Sequence, residues 1–463
     1  MLKKLLFLAA ILLIVKSQMA QAVWIQQNTN FTDLPTAIGV DQVSVVDENV
    51  VWVKGFNGSG SGAELKVFSR TNNGGATWTA GHFTQLGATE MPYVLGARTY
   101  SSAFVVVMDT VSSATSMWET SDGGTSWVKK TAMFNGATSF TNGVRFWDTL
   151  NGFCHGDPLN GVFEIYTTND GGATWTPNVN APAPVPASEY GYNGHDCMAV
   201  VPGGVGFIMT DHGRVLRTTN YGATWTVTPT APFTSAVYGS NKIYASSENY
   251  IICAAYTTAS NTWAWKYTTD GGANWNAYSP TGPFYEFSMC YVPGSANMFV
   301  ATSPDISTLT GVAYSNNGGL TWTDFTDPIL QPLGSNIQCL GLGFASQQKG
   351  WVGNYDQNGL INSILKFQDL TAENNILNTI NHNDINIYPN PSSGMVYFDL
   401  NGANEADCMV SVYDMLGQLI FSEKLNINGL KNTSYNFINQ AKGLYFVEIQ
   451  SANEFFKNKL IIK

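Results

Sequence analysis

One short box recurs six times, and its even spacing constrains the fold more than any other feature. Thr71 to Trp78 reads TNNGGATW, Thr120 to Trp127 reads TSDGGTSW, and Thr168 to Trp175 reads TNDGGATW. Thr218 to Trp225 reads TTNYGATW, Thr268 to Trp275 reads TTDGGANW, and Ser315 to Trp322 reads SNNGGLTW. The box tryptophans lie 49, 48, 50, 50 and 47 residues apart. A fixed period near 49 implies stacked or radially arranged units. Between boxes lie short apolar or alternating stretches separated by turn residues, such as Gly206-Phe207-Ile208-Met209 and Arg214-Val215-Leu216-Arg217. No helical period is sustained, so each repeat is expected to be a four-stranded sheet. Winding such sheets around an axis removes open sheet edges by radial closure.

The box has a local physical logic. A Thr or Ser hydroxyl and an Asp or Asn two residues later can bond turn amides. Glycine after them supplies positive φ. The tryptophan then opens the next strand and is expected to bury its ring between adjacent sheets. The structural positions are therefore Asn73, Gly75 and Trp78; Asp122, Gly124 and Trp127; Asp170, Gly172 and Trp175; Asn220, Gly222 and Trp225; Asp270, Gly272 and Trp275; and Asn317, Gly319 and Trp322. The pattern resembles the Asp-box, or BNR, repeat of sialidases, xyloglucan-hydrolysing propellers, sortilin-type receptors and photosystem II assembly factors. The resemblance implies a β-propeller, and it says little about activity, because these proteins share a folding clasp rather than a site.

Gly343 to Phe367 looks like a further repeat that stops before its box, and Val23-Trp24-Ile25-Gln26 resembles the strand that follows one. If that strand completes the last sheet, both ends of the propeller share a blade. The 344 residues from Trp24 to Phe367 are close to seven repeats of 49. The expected fold is all-β: a seven-bladed β-propeller, with six blades as the alternative, followed by an Ig-like β-sandwich.

The ends of the chain read differently. Lys3 and Lys4 precede an apolar run from Leu5 to Val15, and Ala20-Gln21-Ala22 is a small-x-small cleavage pattern. Residues 1–22 are expected to be a signal peptide. An 11-residue apolar run is too short to span a bilayer, which takes about 20, and no later segment comes close. No transmembrane segment is expected. Residues 23–367 are assigned to the propeller, and the polar, Asn-rich residues 368–384 to a linker. Residues 385–463 carry Ile387-Tyr388-Pro389-Asn390-Pro391, Val412-Tyr413-Asp414-Met415-Leu416-Gly417, Lys442-Gly443-Leu444-Tyr445-Phe446-Val447 and the ending Lys459-Leu460-Ile461-Ile462-Lys463. This tail resembles the C-terminal sorting domain of the type IX (Por) secretion system of Bacteroidetes. It implies export through that machinery as a partner, to the cell surface or the medium.

The net charge is −11 with five arginines, which disfavours nucleic acid as a ligand. The six cysteines show no CxxC spacing, and most lie in apolar strand-like stretches, as buried thiols do. Sialidases clamp a carboxylate with three arginines. Arg70, Arg98, Arg145, Arg214 and Arg217 do not suggest such a triad, since Arg70 and Arg217 sit just before boxes. Two suitably separated carboxylates would suffice for another glycosidase. Asp157, Glu189, Asp196, Asp211, Glu286 and Asp356 are placed on the face opposite the boxes, where they are expected to be solvated loop groups. His155, His195 and His212 fall on that face too and are the weak metal candidates, without ligand spacing to support them. The sequence points to no cofactor. Aromatic and polar residues in the loops Pro177 to Asp196 and Pro280 to Tyr291 make Tyr190, Tyr192, His195, Asp196, Tyr285 and Glu286 the candidate ligand-binding set. The expected function is a secreted or surface-displayed module that binds glycan or protein. The alternatives are an extracellular glycoside hydrolase and an assembly or scaffold factor.

Overall fold

The structure is a computed structural model that describes residues 22–31, 38–57, 64–192, 194–233, 239–305, 309–325, 337–356, 363–369, 386–399, 407–414, 419–426, 432–450 and 455–463. Residues 1–21 of the expected signal peptide, nearly all of the expected linker and the Cys408 side chain lie outside the described residues. Two compact units emerge, one spanning Ala22–Gln368 and one containing Asp369–Lys463.

The first unit holds seven four-stranded antiparallel sheets. Blade 1 runs Ile38–Val45, Val51–Asn57, Glu64–Thr71 and Thr79–His82. Blade 2 covers Glu90–Lys129, blade 3 Thr141–Pro177, blade 4 Met198–Val227, blade 5 Ser240–Ala277 and blade 6 Ser288–Asp324, each in the same up-and-down order. Blade 7 takes three strands from Ile337–Asp369, and its fourth is Ala22–Asn28, hydrogen-bonded to Ser363–Asp369. Each blade packs on the next, and blade 7 returns to blade 1, so the ring is closed. Among the described residues the ring shows seven such sheets, the number that the period implies.

The second strands sit in mid-blade with neighbours on both faces. They are therefore continuous apolar runs rather than alternating ones: Ala103–Val107, Val205–Met209 and Ile251–Ala255 are buried throughout. The core is a set of layers between blades, and one layer joins Val94 and Phe104 of blade 2, Val144 and Phe153 of blade 3, and Met198 and Ile208 of blade 4.

Every box adopts the same geometry. In the first, Thr71 Oγ1 bonds Asn73 Oδ1 at 2.9 Å, Gly75 N donates to Thr71 Oγ1 at 2.9 Å, and Thr77 N donates to Asn73 Oδ1 at 2.9 Å. The third repeats it with Thr168, Asp170, Gly172 and Thr174, and the sixth with Ser315, Asn317, Gly319 and Thr321. Gly172 has φ 86°, and a Cβ there would lie 2.2 Å from Phe104 Cζ of blade 2, so glycine serves both the turn and the approach of the neighbouring blade. In the fourth box Tyr221 takes the first of the two left-handed positions at φ 56°, and its ring meets Trp147 at 5.7 Å.

The tryptophans divide into two groups. Trp78, Trp127, Trp225 and Trp322 are buried, and Trp225 packs edge-on to Phe153 of the preceding blade at 5.0 Å. Trp175 and Trp275 are only half-buried, which corrects the expectation of six buried rings. Trp24 does the same work for blade 7 without a box. It is 3% exposed, meets Phe325 and Phe367 at 5.6 and 5.4 Å, and donates from Nε1 to Phe325 O at 3.0 Å.

The five described cysteines are free thiols, four of them buried. The second unit is a β-sandwich with one sheet of three strands, Asn386–Tyr388, Met395–Asp399 and Asn432–Asn436. Its other sheet comprises Asp407–Tyr413, Leu419–Asn426, Gly443–Gln450 and Phe455–Ile462. Val396 and Phe398 of the first sheet share a core with Val412, Val447 and Leu460 of the second. The Pro-rich start braces the terminal strand: Asn390 Nδ2 donates to Lys459 O at 2.5 Å, and Ile461 N donates to Asn390 Oδ1 at 2.9 Å.

Candidate functional site

Up-and-down sheets put alternate connections on opposite ends of a propeller. The boxes join third to fourth strands. The loops leading into each blade, and the hairpins between second and third strands, gather at the other end. There a cavity of about 820 Å³ opens among blades 4, 5 and 6, reaching across to Asp41 and Gln42 of blade 1. It is lined by His195 and Asp196 ahead of blade 4, Asn241 and Lys242 at the start of blade 5, and Tyr285, Glu286 and Phe287 ahead of blade 6. Trp263 and Phe284 add further apolar wall. Below it, the innermost strands of all seven blades enclose an axial channel of about 390 Å³, lined by Arg145 and Tyr244. His195 and Asp196 line both spaces, so the single 3-10 turn His195–Cys197 stands between mouth and channel.

This turn is held from three sides. His195 Nδ1 lies 3.1 Å from Asp196 Oδ1, Tyr244 Oη donates to Asp196 Oδ2 at 2.8 Å, and Arg145 donates to the His195 carbonyl. Cys197 Sγ donates to Asn241 O at 3.4 Å, and burial pushes its thiol up to about 12. Burial disfavours ionisation of Asp196, but the hydrogen bond from His195, with the Lys242 charge and the Tyr244 hydroxyl, outweighs it and holds the carboxyl below its usual range. Burial, reinforced by the Arg145 charge, lowers the His195 pKa. The imidazole is therefore neutral at pH 7. With Asp196 on Nδ1, the proton sits there and Nε2 is an acceptor.

The cations of the site are engaged. Lys242 Nζ donates to Glu286 O at 2.7 Å and to Phe287 O, and lies 4.4 Å from the Trp263 ring centroid. Lys54, 1% exposed, pairs with Asp41 at 2.8 Å. Burial lowers the Arg145 guanidinium to about 10, against the pull of Asp196. The other arginines are elsewhere: Arg70 stacks on Tyr100, Arg98 bonds Thr149 O, Arg214 pairs with Glu189 and Arg217 with Glu248. Arg145 alone reaches the axis, so no carboxylate-clamping triad is assembled.

Four of the six candidate ligand-binding residues, His195, Asp196, Tyr285 and Glu286, line the one cavity. Tyr285 is 3% exposed and packs with Tyr244, Met289 and Trp322, so its ring supports the wall rather than being presented to a ligand. Tyr190 and Tyr192 lie outside the lining, with ring centroids 5.9 Å apart beside blades 3 and 4.

The expectation of solvated carboxylates fails for most of that set. Glu189 is buried and accepts from Arg214, Thr210 and Val185 N. Asp211 is buried between His212 Nδ1 at 2.7 Å and Tyr190 N at 2.9 Å. Asp157 accepts from Asn142 and Gly191 N, and burial raises its pKa. These loop carboxylates tie down backbone that folds over the blade ends, which charge type and spacing do not disclose. Glu286 is exposed and has neither a hydrogen bond nor an ion pair, and the Asp356 side chain lies outside the described residues. The three histidines do not converge. His155 is fully buried with both ring nitrogens unpartnered, and burial takes its pKa to about 3. His212 is tied to Asp211, and only His195 reaches the cavity. Among the described residues no group of three or more His, Cys, Asp or Glu could hold a metal ion. Sequence reasoning passed over Asn241, which is 1% exposed, lines the cavity, and keeps Oδ1 without a partner.

A search of curated proteins gave no match. Similar solved structures include YCF48 bound to D1 peptide, at 14% identity and TM-score 0.47, covering 75% of this chain and 96% of that one. YCF48 from Cyanidioschyzon merolae is 15% identical with TM-score 0.47, covering 75% and 98%. The Cps50 (Swd1) β-propeller domain of Myceliophteria thermophila is 8% identical with TM-score 0.38, covering 74% and 99%. No helix among the described residues is long and apolar enough to cross a membrane. Residues 386–463 match the family of the secretion system C-terminal sorting domain, so this β-propeller chain carries a Por-type tail that directs export by the type IX system to the cell surface or beyond.

Proposed function

We propose that the chain is an exported binding module whose glycan or protein ligand occupies the cavity at the mouth of blades 4 to 6. The observation that carries this reading is the composition of the cavity wall. Phe287 is 41% exposed beside the unpaired Glu286 carboxylate, with the half-buried Trp263 and Phe284 close by. Exposed aromatic surface beside a few placed polar groups is what ligand-stacking sites present, and about 820 Å³ accommodates a ligand of several rings or residues. The histidine–carboxylate pair beneath it orients one acceptor and carries no adjacent activated nucleophile, which favours binding over turnover.

The test uses the double variant Glu286→Ala with Phe287→Ala, both exposed positions. Ligand binding, measured by calorimetry on a hit from glycan and peptide arrays, should weaken about tenfold or more, which is roughly 1.4 kcal/mol, with the melting temperature unchanged. Unchanged affinity would place the site elsewhere on the propeller. Turnover of chromogenic glycosides by the wild-type chain would favour a hydrolase.

A further inference from the structure

The cations around the cavity are engaged, while some of its acceptors are not. Lys242 spends its ammonium on two carbonyls and an aromatic face, and Lys54 is paired with Asp41. Arg145 faces the channel beneath and bonds the His195 carbonyl. Against these stand three acceptors without protein partners. His195 Nε2 is one, since Asp196 fixes the proton on Nδ1. The second is Asn241 Oδ1, on a side chain 1% exposed whose amide nitrogen already donates to Thr210 O at 3.0 Å, but this oxygen is sealed beneath the surface and out of a ligand's reach. The third is the Glu286 carboxylate. A ligand that donates to the two reachable acceptors, His195 Nε2 and Glu286, is favoured, whereas one bringing another acceptor or a negative charge is not.

We propose that the cavity takes a neutral, hydroxyl-rich saccharide that donates hydrogen bonds to His195 Nε2 and Glu286 while an apolar sugar face rests against the Phe287 side of the wall. This deepens the binding-module reading and rests on it. Acidic sugars and acidic peptides are disfavoured, because no cation in the cavity is left to meet them.

The assignment has a pH signature. The charged and titratable groups around His195 are Asp196 and Cys197 on its own turn, Arg145 from blade 3, Lys242 and Tyr244 from blade 5, Glu286 ahead of blade 6, and the Asp41–Lys54 pair across the mouth. Protonating His195 turns Nε2 from acceptor to donor. Saccharide affinity is therefore full at neutral pH and lost as pH falls through the His195 pKa, which lies below its ordinary value of 6.5. His195→Gln keeps one donor for Asp196 and one acceptor for the ligand and cannot titrate.

The experiment is calorimetry on the purified full-length chain with neutral gluco-, manno- and galacto-oligosaccharides, sialyllactose, an oligouronide and a Glu-rich peptide, from pH 7.5 to 4.5. We expect a neutral saccharide to bind best and to weaken on acidification. His195→Gln should show a flatter pH profile than the wild-type chain. Tighter binding of sialyllactose, uronide or acidic peptide, identical pH profiles for the two proteins, or no binding by any neutral saccharide would each overturn the inference. The two readings fail separately. An acidic ligand abolished by the Glu286 and Phe287 substitutions sinks the saccharide class alone, whereas a saccharide indifferent to those substitutions sinks the cavity itself.

Discussion

At the residue scale, the six boxes carry the propeller through two separable contributions, a hydrogen-bonded turn and a ring. The ring contribution is unequal. Trp225 is 4% exposed against Phe153, whereas Trp175 is half-buried against Phe104 and Phe146. Trp225→Ala should cost about 3–5 kcal/mol and Trp175→Ala about half of that, by the cost of removing large buried rings. Denaturant titration of the two variants checks it, and equal losses would mean that the ring's burial is not what matters. The turn contribution titrates. Asp122 is held at about 2 by the Ser126 hydroxyl and amide, Asp170 at about 2 by the Thr174 hydroxyl and amide, and Asp270 at about 2 by the Asn274 amide and side chain. A carboxyl whose folded pKa is depressed stabilises the fold above its unfolded pKa of about 4, and that stability disappears as pH falls toward 2. Asn73, Asn220 and Asn317 make the same turn without a titrating group. Replacing all three aspartates by Asn should therefore flatten acid unfolding between pH 4 and 2, and thermal melts across that window would show it.

At the scale of elements, the strand Ala22–Asn28 is set apart from the others. It closes the ring by pairing with Ser363–Asp369, and its hold is reinforced by Trp24 against Phe325, Phe344 and Phe367. Gln27 of the same strand accepts from Trp78 Nε1 at 3.2 Å, tying it to the first box. Trp24→Ala should destabilise the propeller by about 3–5 kcal/mol. Hydrogen exchange should show the protection of residues 22–28 and 363–369 falling first, while blades 3 and 4 keep theirs. Uniform loss around the ring would instead mean that closure and blade packing form one cooperative unit. These elements were legible in sequence because the box has a period, the closing strand repeats a box-following strand, and the tail keeps its motifs in order. The site was much less so. Glu189 and Asp211 read as loop carboxylates and turn out to be buried braces, and Tyr285 reads as a presented aromatic and is core. Burial in a loop has no period to betray it. The partnerless oxygen of Asn241 depends on what neighbouring blades supply, which no local pattern encodes.

At the scale of the whole molecule, the chain joins a propeller ring to a tail that directs export. The tail has its own sheets and its own core, and the propeller has no strand in common with it. Deleting residues 386–463 should leave the propeller folded, by circular dichroism and melting temperature, but keep it from the cell surface and the medium. Fractionation that still finds the truncated chain outside would remove the export assignment from the tail. The way the ring is fastened bears on that journey as well. Its first strand finds its partner only in the last strand of the propeller, so a chain emerging amino end first holds half of its fastening from the outset and waits for the other half. Until residues 363–369 arrive, blade 7 has an open edge and Trp24 has no Phe367 to close against. A ring fastened this way stays an unfinished circle until residues 363–369 are available to the first strand.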